Sequence, residues 1–485
     1  MKKLLVAAGL LCARRVRALC PDIGSGAANG VPTISKDVAI IGGGGSGAYS
    51  AVRLREDYGI GVVVVEKEPM LGGHVNTWID PATGRGFEAG VQSYVDLANT
   101  KDFFSRMGVS TMPNNRPTQQ PPLFVDFSTG TRLSNYTLPS TTDRNDALRR
   151  YLALAEKYLP FMEPGWWSFP APKDIPVDLV LPFRDFVEKY NLTAGVPQIF
   201  ATTGFGKHDM LGSLTMWVMR SFNVDMARTI LGINAGFVPS SGKNQDLYDN
   251  ILKLLGPDVL LSSTAVRAKR SDKGVVLEVR NSVTCNVTRI VAKKLLFTAP
   301  PTGSNLAPLE ADDFERGVFQ DFNYSTSYVG VVSHPALPRN FSITNVPGAA
   351  EGGNWIAAVP KSPFNVRFDN YANSSYYRVV AAGDHTFTKD QAQDMISATF
   401  DKMVVAGTVS QTQPPQPLTF HLFESHGLVG AHVSREVLNT GFIQRLNGLQ
   451  GRRSTWFTGA AWSVHISTSL WVFTDTLLPR LVASL

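Results

Sequence analysis

The stretch that most constrains the fold is residues 37–47, which read DVAIIGGGGSG. A short apolar run of the kind found in a buried strand leads directly into three glycines with the spacing G-x-G-x-x-G. Residues 48–58 are rich in helix formers, and residues 59–65 form a second apolar, β-branched run that ends at Glu66. Strand, glycine turn, helix, strand and acid in this order predict the first βαβ unit of a Rossmann-type domain.

Each of the three glycines and the acid in this unit has a physical reason for its residue type. A side chain at Gly42 would obstruct the tight turn, one at Gly44 would keep a phosphate from the backbone, and one at Gly47 would hold helix and strand apart. The N–H groups at the helix start then face the phosphates of a dinucleotide. Glu66, at the end of the second strand, can accept hydrogen bonds from the hydroxyls of the adenosine ribose.

The residues that follow resemble a known family. Residues 66–74 read EKEPMLGGH, which is similar to the extended motif of FAD enzymes in the monoamine oxidase and phytoene desaturase superfamily. In that family a Gly-Gly pair, here Gly72 and Gly73, lies against the FAD phosphates. His74 follows the pair where arginine is common, as in the subgroup that resembles fungal beta-cyclopiazonate dehydrogenase and the bacterial polyunsaturated fatty acid isomerase. The resemblance implies FAD, where the glycine turn alone leaves FAD and NAD open.

Three further segments resemble the same family in the right chain order. Residues 86–92 (GFEAGVQ) resemble the segment whose backbone approaches the isoalloxazine. Residues 259–301 resemble its small antiparallel sheet, with Val266 where backbone meets the adenine. Residues 453–470 resemble its last strand, turn and helix, a helix whose dipole stabilises negative charge on reduced flavin. The residues predicted to bind the cofactor are Gly42, Gly44, Gly45, Ser46, Gly47, Glu66, Lys67, Gly72, Gly73, His74, Gly90, Val91, Val266, Gly459, Ala460, Ser467 and Thr468.

The resemblance implies an α/β fold in two parts. A discontinuous, glutathione-reductase-like Rossmann-type FAD-binding domain is expected from residues 36–110, 245–305 and 415–485. The insertions, residues 111–244 and 306–414, are expected to build an α+β substrate-binding domain.

The sequence indicates the reaction less specifically than it indicates the cofactor. In amine-oxidising relatives a lysine sits under flavin N5, and it would be expected after about residue 320. Residues 323–328 read NYSTSY and contain no lysine, which argues against amine oxidation by that arrangement. Some relatives attach their flavin covalently to a cysteine near the position of Gly459; this chain has none there, so the resemblance implies non-covalent FAD.

Histidine is the side chain best suited to carry protons near neutral pH, and His465 falls in the segment expected beside the flavin. We therefore predict His465 as the catalytic residue and Trp462 as a contact to flavin or substrate. His421, His426 and His432 are spaced by five and six residues, which does not place them on one helical face, and no acid accompanies them. No metal site is predicted.

The N-terminal residues predict the localisation of the protein. Residues 1–20 begin with MKK and an apolar run of ten residues, too short to span a bilayer, which is typical of a secretory signal peptide; a disordered leader is the alternative. Of the three cysteines, Cys12 and Cys20 lie in or beside this leader, so Cys285 is expected to be a lone thiol. Six N-x-S/T sequons support a glycosylated, secreted or lumenal eukaryotic protein: Asn135, Asn191, Asn286, Asn323, Asn340 and Asn373.

Charge and length restrict the partners. The 46 basic and 40 acidic residues are spread along the 485-residue chain with no basic run, so nucleic acid is not an expected partner. No membrane span is expected, and the oligomeric state stays open.

Three functions remain compatible with these features. The first is an FAD-dependent oxidoreductase that removes hydride from a hydrophobic small molecule, beta-cyclopiazonate dehydrogenase-like or amine-oxidase-like, with oxygen or a partner protein as electron acceptor. The second is a flavin-dependent double-bond isomerase of a fatty-acid-like substrate, which needs no net electron acceptor. The third is a non-catalytic secreted flavin-binding protein.

Overall fold

The computed structural model describes residue 20 and residues 30–114, 120–370 and 374–485. The predicted leader therefore lies outside the described residues, apart from Cys20. The strands are β1 Thr33–Ile41, β2 Val62–Val65, β3 Thr77–Ile79, β4 Gly86–Glu88, β5 Tyr94–Val95, β6 Thr111–Pro113, β7 Pro122–Asp126, β8 Thr131–Arg132, β9 Gly236–Pro239, β10 Val259–Leu260, β11 Ser263–Ser271, β12 Gly274–Asn281, β13 Val287–Phe297, β14 Asn323–Ser333, β15 Ser342–Asn345, β16 Phe364–Asn370, β17 Tyr376–Asp384, β18 Thr419–His432 and β19 Thr455–Phe457.

The helices are α1 Gly45–Val52, α2 Thr100–Arg106, α3 Thr141–Glu156, α4 Leu159–Met162, α5 Phe183–Lys189, α6 Val196–Thr202, α7 Thr215–Ser221, α8 Val224–Ile230, α9 Gln245–Leu255, α10 Gly303–Leu306, α11 Asp313–Phe319, α12 Lys389–Val405, α13 Arg435–Leu438, α14 Phe442–Asn447 and α15 Ser467–Val482. None of the helices in the described part of the chain is both long enough and apolar enough to cross a membrane.

The first sheet joins a parallel half to an antiparallel half. Its order is β10-β2-β1-β13-β12-β11, and β19 also pairs with β13. β13 connects the two halves: it pairs with β1 in parallel along its length, and on its other edge with antiparallel β12 and then with parallel β19. Residues 38–40 of β1 and all of β2 are apolar and buried on both faces, as central parallel strands require. The Rossmann-type unit predicted from residues 37–66 is confirmed.

The second sheet forms the wall opposite the glycine turn. Its order is β18-β14-β17-β16-β15-β7-β8. β18 pairs antiparallel with β14, from Asn323 opposite His432 to Ser333 opposite Thr419. Residues 419–432 thus lie in the second sheet, although the expected boundary at residue 415 grouped them with the cofactor domain. The reason is physical: a strand's alternation fixes which side chains share a face, but its pairing partner is remote in sequence.

The C-terminal helix packs on the first helix and brings their N-termini together. The Trp471 indole stacks on the Tyr49 ring with 4.9 Å between centroids, and its Nε1 donates to Gly45 O over 3.0 Å. A Cβ atom built on Gly45 would lie 4.0 Å from Ser467 Oγ. The starts of α1 and α15 are therefore neighbours.

A disulfide corrects the expectation that Cys285 is a lone thiol. Cys20 and Cys285 are bonded, with 5.4 Å between their Cα atoms and 265 residues between them in sequence. Cys285 lies in the turn between β12 and β13, so the bond attaches the start of the chain to this hairpin. Such a remote pairing leaves no signal in the spacing of three cysteines.

Candidate active site

A cavity of about 1920 Å³ runs from the glycine turn to the second sheet. Sites for a single small molecule measure roughly 300–1,000 Å³, so this cavity has room for a large cofactor and a second ligand. Its near end is walled by the loops after β1 and β2 and by the start of α15. Its far end is walled by the inserted segments and by β18, with apolar side chains that include Phe124, Tyr136, Phe200, Phe205, Val366 and Leu422.

The glycines of the turn after β1, and Gly73, have the backbone conformations and the close contacts expected at these positions. Gly42 has φ +104°, and a Cβ atom on Gly47 would lie 1.8 Å from Gly42 O, so helix and strand pack at a distance that only glycine permits. Gly73 has φ +58°, and its Cβ atom would lie 2.9 Å from the Cα atom of Gly44. Two glycine segments thus meet backbone to backbone at the cavity. A Cβ atom on Gly73 would push the two segments apart.

Both helices at this end begin without a side-chain cap. The N-cap residues are Gly44 for α1 and Ile466 for α15, and neither end has a capping hydrogen bond from a side chain. Their first N–H groups are therefore available to a ligand, and both helix dipoles favour negative charge there. Thr468 Oγ1 is buried without a hydrogen-bond partner in the described part of the chain. Uncapped donors beside a glycine cradle fit the phosphates of a dinucleotide.

Glu66 is held rigidly at the end of β2. Its Oε2 accepts a hydrogen bond from the N–H of Gly43 over 2.6 Å, and its Oε1 accepts one from the N–H of Glu68 over 2.8 Å. Burial raises the pKa of Glu66, and these two N–H groups partly offset the shift. Each oxygen keeps a second lone pair, which fits acceptance from ribose hydroxyls.

Most of the predicted cofactor residues line this one cavity. Those that do are Gly42, Gly44, Gly45, Ser46, Glu66, Lys67, Gly72, Gly73, His74, Gly90, Val91, Gly459, Ala460 and Ser467. Gly47, Val266 and Thr468 do not line the cavity. At Val266 the register of β11 shifts, and Ser263, Thr264 and Ala265 form the wall instead.

His74 stacks on His426 of the second sheet. Their ring centroids are 4.3 Å apart and the two rings are nearly parallel, and His74 Nε2 donates to His426 O over 3.0 Å. His426 Nε2 lies 2.9 Å from Asn76 Oδ1. Desolvation lowers the pKa of both histidines, so both are neutral, and His74 keeps Nδ1 as an acceptor. The stacked pair connects the segment that carries Gly72 and Gly73 to β18. Sequence spacing does not reveal this contact.

His465 and Trp462 both line the cavity on the loop that leads into α15. Desolvation, with the charges of Arg220 and Lys207 adding to it, lowers the pKa of His465 to about 3. The ring is therefore neutral at physiological pH and can accept a proton only transiently. Trp462 is 2 % exposed and stacks on Phe457, so most of its surface is core and only an edge reaches the cavity.

Arg378 was not predicted from the sequence. It lies on β17, lines the cavity, and its Nε donates to Ala89 O over 2.7 Å. This bond ties the second sheet to the segment that includes Gly90. A Cβ atom on Gly90 would lie 2.0 Å from His74 O, so that backbone is tightly packed from both sides.

In the described residues no three His, Cys, Asp or Glu side chains gather as metal ligands would.

Comparisons with known proteins agree with this site. Residues 40–107 match the NAD(P)-binding Rossmann-like domain family. Beta-cyclopiazonate dehydrogenase of Aspergillus oryzae is 34% identical over 463 residues, 94% of this chain and 96% of that protein. An FAD-dependent oxidoreductase of Monascus ruber is 32% identical over 458 residues, 93% of each chain.

Solved structures show the same fold. The fatty acid isomerase from P. acnes that produces CLA superposes with a TM-score of 0.71 at 17% identity, over 92% of this chain and 98% of that one. Putrescine oxidase bound to putrescine superposes with a TM-score of 0.61 at 14% identity, over 93% and 100% of the chains. The resemblance predicted from the motifs is confirmed. The chain belongs to the family of FAD-dependent oxidoreductases that includes beta-cyclopiazonate dehydrogenase, and FAD is its cofactor.

Proposed function

We propose that this FAD-dependent oxidoreductase removes hydride from a hydrophobic small molecule held in the far part of the cavity. The observation that carries the proposal is the continuity of that cavity, from the uncapped helix starts at α1 and α15 to the apolar wall of the inserted segments. Bound flavin supplies the hydride-accepting chemistry. The protein supplies position, exclusion of water and proton handling.

Different residues of the chain contribute to cofactor binding, positioning and proton transfer. With FAD bound, Gly44 and Gly73 would leave the backbone free to approach its phosphates, and Glu66 would accept hydrogen bonds from its ribose hydroxyls. Arg378 fixes the backbone at Ala89, next to Gly90. We assign to His465, a neutral ring on the cavity wall, the role of taking the proton that the substrate releases when it gives up the hydride.

Anaerobic mixing of the FAD-loaded protein with hydrophobic candidate substrates tests the proposal. Bleaching of the oxidised flavin bands by one of them supports hydride transfer to the bound cofactor. FAD that stays oxidised with every candidate, while dithionite reduces it, is the result expected of a non-catalytic flavin-binding protein and contradicts the proposal.

Net oxidation and isomerisation are separated by the electron acceptor. Oxidation consumes one acceptor for each product, with oxygen or a partner protein in that role, whereas an isomerase converts many substrate molecules without any. Product formed anaerobically in large excess over enzyme would favour the isomerase alternative. The likeness to the fatty acid isomerase supports a shared fold and does not choose between the two reactions.

We also propose that the protein passes through the secretory route. The Cys20–Cys285 disulfide supports this, since such bonds persist in oxidising compartments, and it requires that the leader be cleaved before Cys20 rather than after it. The acceptor asparagines of five sequons are exposed: Asn135, Asn191, Asn286, Asn323 and Asn340; Asn373 lies outside the described residues. A mobility shift after N-glycosidase treatment, with a peptide linking Cys20 to Cys285 in a non-reducing digest, is the expected result. Unmodified asparagines and free thiols contradict it.

A further inference from the structure

Gly90 has a peptide N–H group without a partner at the cavity wall. The residue is buried and lines the cavity. Its N–H group donates no hydrogen bond to any residue that the structure describes. Buried N–H groups in folded proteins nearly always have a partner, so a free one at a cavity wall points to an acceptor on a ligand.

Side chains fix the backbone on both sides of Gly90. Arg378 Nε donates to Ala89 O over 2.7 Å from β17. This oxygen and the Gly90 N–H belong to one trans peptide group, so the two point in opposite directions. Asn244 Nδ2 donates to Val91 O over 2.6 Å from the other side. The direction of the Gly90 N–H group is therefore set by its neighbours.

Asn244 is available for this contact because its side chain does not cap a helix. An asparagine directly before a helix ordinarily accepts a hydrogen bond from one of the first helical N–H groups. Asn244 precedes α9, is 1 % exposed and makes no such bond. Its own N–H group donates to Glu88 Oε1 over 2.8 Å, and the same oxygen accepts from Thr77 Oγ1 over 2.7 Å. Glu88 thus holds Asn244, and Asn244 holds Val91.

Glu88 needs no charge to hold Asn244. Its Oε2 is buried and has no hydrogen-bond partner in the described part of the chain. Burial raises the pKa of Glu88 to about 7; the nearby Asp246 adds to the shift, and the Asn244 N–H group and the Arg378 charge oppose it. Burial, with Glu88 adding to it, raises the pKa of Tyr94, so this hydroxyl is neutral. Glutamine, which is neutral and similar in shape, should therefore replace Glu88 as the acceptor.

Gly90 lies where the flavin ring must pass. With ribose at Glu66 and phosphates at Gly44 and Gly73, the rest of an extended FAD runs toward the second sheet and its apolar wall. Gly90 lies on that path, because Arg378 of the second sheet bonds to the peptide group that carries its N–H.

We propose that Asn244 and Glu88 are positioning residues that, with Arg378, hold the Gly90 N–H group where it donates a hydrogen bond to the ring of bound flavin. A hydride brings two electrons and leaves negative charge on the ring, which a fixed donor stabilises. The inference rests on the proposed function, since it concerns the same flavin as hydride acceptor.

Hydrogen exchange of the Gly90 amide, resolved to the residue by fragmentation mass spectrometry, tests the inference on the parent protein. ADP fills the adenosine and phosphate end of the site but lacks the flavin ring. We expect the Gly90 amide to exchange at least about tenfold more slowly with FAD bound than with ADP bound. Equal exchange rates with the two ligands would overturn the inference whether or not any variant folds.

Asn244→Ala removes the bond to Val91 O and no helix cap. We expect the protection of the Gly90 amide by FAD to fall about tenfold. Asn250→Ala is the matched control, because Asn250 lies on α9 and its Nδ2 donates to Met107 O over 2.8 Å. This variant should keep the parent's protection. Equal protection in the two variants would contradict the role of Asn244.

Two substitutions of Glu88 separate its hydrogen bond from its charge. Glu88→Gln keeps an acceptor for the Asn244 N–H group and should keep the protection of the Gly90 amide. Glu88→Ala removes the acceptor and should lower the protection as Asn244→Ala does. A loss in Glu88→Gln as large as in Glu88→Ala would overturn the positioning role of Glu88.

The reduction potential of the bound flavin separates positioning from general loosening of the fold. Asn244→Ala should weaken binding of reduced relative to oxidised flavin about tenfold, which lowers the two-electron potential by about 30 mV. Asn250→Ala should not shift it, and a potential equal to the parent's in Asn244→Ala would overturn the inference. Dithionite reduces the flavin in this titration, so failure of every substrate to reduce FAD would overturn only the proposed function.

Discussion

Replacing Gly73 by alanine probes the contact between the two glycine segments at the phosphates. The new Cβ atom would lie 2.9 Å from the Cα atom of Gly44, whereas carbon atoms in good contact are about 3.5–4.0 Å apart. One segment must therefore move by roughly 0.6 Å, away from the position at which its N–H groups meet a phosphate. Loss of one hydrogen bond to a charged group costs about 1.5–3 kcal/mol, so we expect FAD affinity to fall roughly 10- to 100-fold.

Gly59→Ala is the matched control. Gly59 has φ +66°, close to the +58° of Gly73, but a Cβ atom there meets nothing within 4 Å. Both variants carry the left-handed backbone strain of about 1 kcal/mol, and only Gly73→Ala adds the contact with Gly44. Titration of each apoprotein with FAD, followed by quenching of flavin fluorescence, measures the difference. FAD affinities that fall equally in the two variants would refute the reasoning, because strain alone would then explain the loss.

The remaining predictions concern other parts of the molecule. Cys285→Ser removes the disulfide to Cys20 and should destabilise the fold by about 2–4 kcal/mol in denaturant without changing FAD content; an unchanged midpoint would contradict it. Burial raises the pKa values of Glu88 and Glu163 to about 7, so the folded state binds more protons than the unfolded state between about 4.5 and 7, and stability should fall as the pH rises through that window. Glu163→Gln should flatten this dependence in thermal unfolding, and an unaltered slope would contradict the assignment. His465→Gln should slow reduction of bound FAD by substrate about 100-fold while FAD content stays unchanged, and an undiminished rate would remove His465 from the chemistry.

The cofactor end was predictable because its determinants are local. The turn, the helix start and the acid Glu66 fall within thirty residues, and each residue type answers a steric or hydrogen-bonding need of its own position. The pair Gly72 and Gly73 follows at a fixed distance, and the family motif implied that it lies against the FAD phosphates; its backbone contact with Gly44 is a finding of the structure. At this end of the cavity the residues that form the sequence motif are also the residues predicted to bind the cofactor, so the motif was enough to predict the site.

The substrate end was not predictable, because its parts meet only through the tertiary fold. Residues 419–432 alternate like any strand, and only pairing with β14 brings His426 against His74 and Gly430 beside Lys207. The link between Cys20 and Cys285 is equally remote in sequence. The burial of Lys207 could not be predicted from the sequence either, because a lysine in a loop is ordinarily exposed.

The absorption spectrum of the purified protein, before and after acid precipitation, tests the central claim most directly. The account predicts oxidised flavin bands in the native protein and their full release into the supernatant as FAD, because the cavity holds the cofactor without a covalent bond. Flavin that stays with the pellet would contradict the non-covalent attachment. A colourless protein that takes up no FAD on reconstitution would contradict the central claim itself.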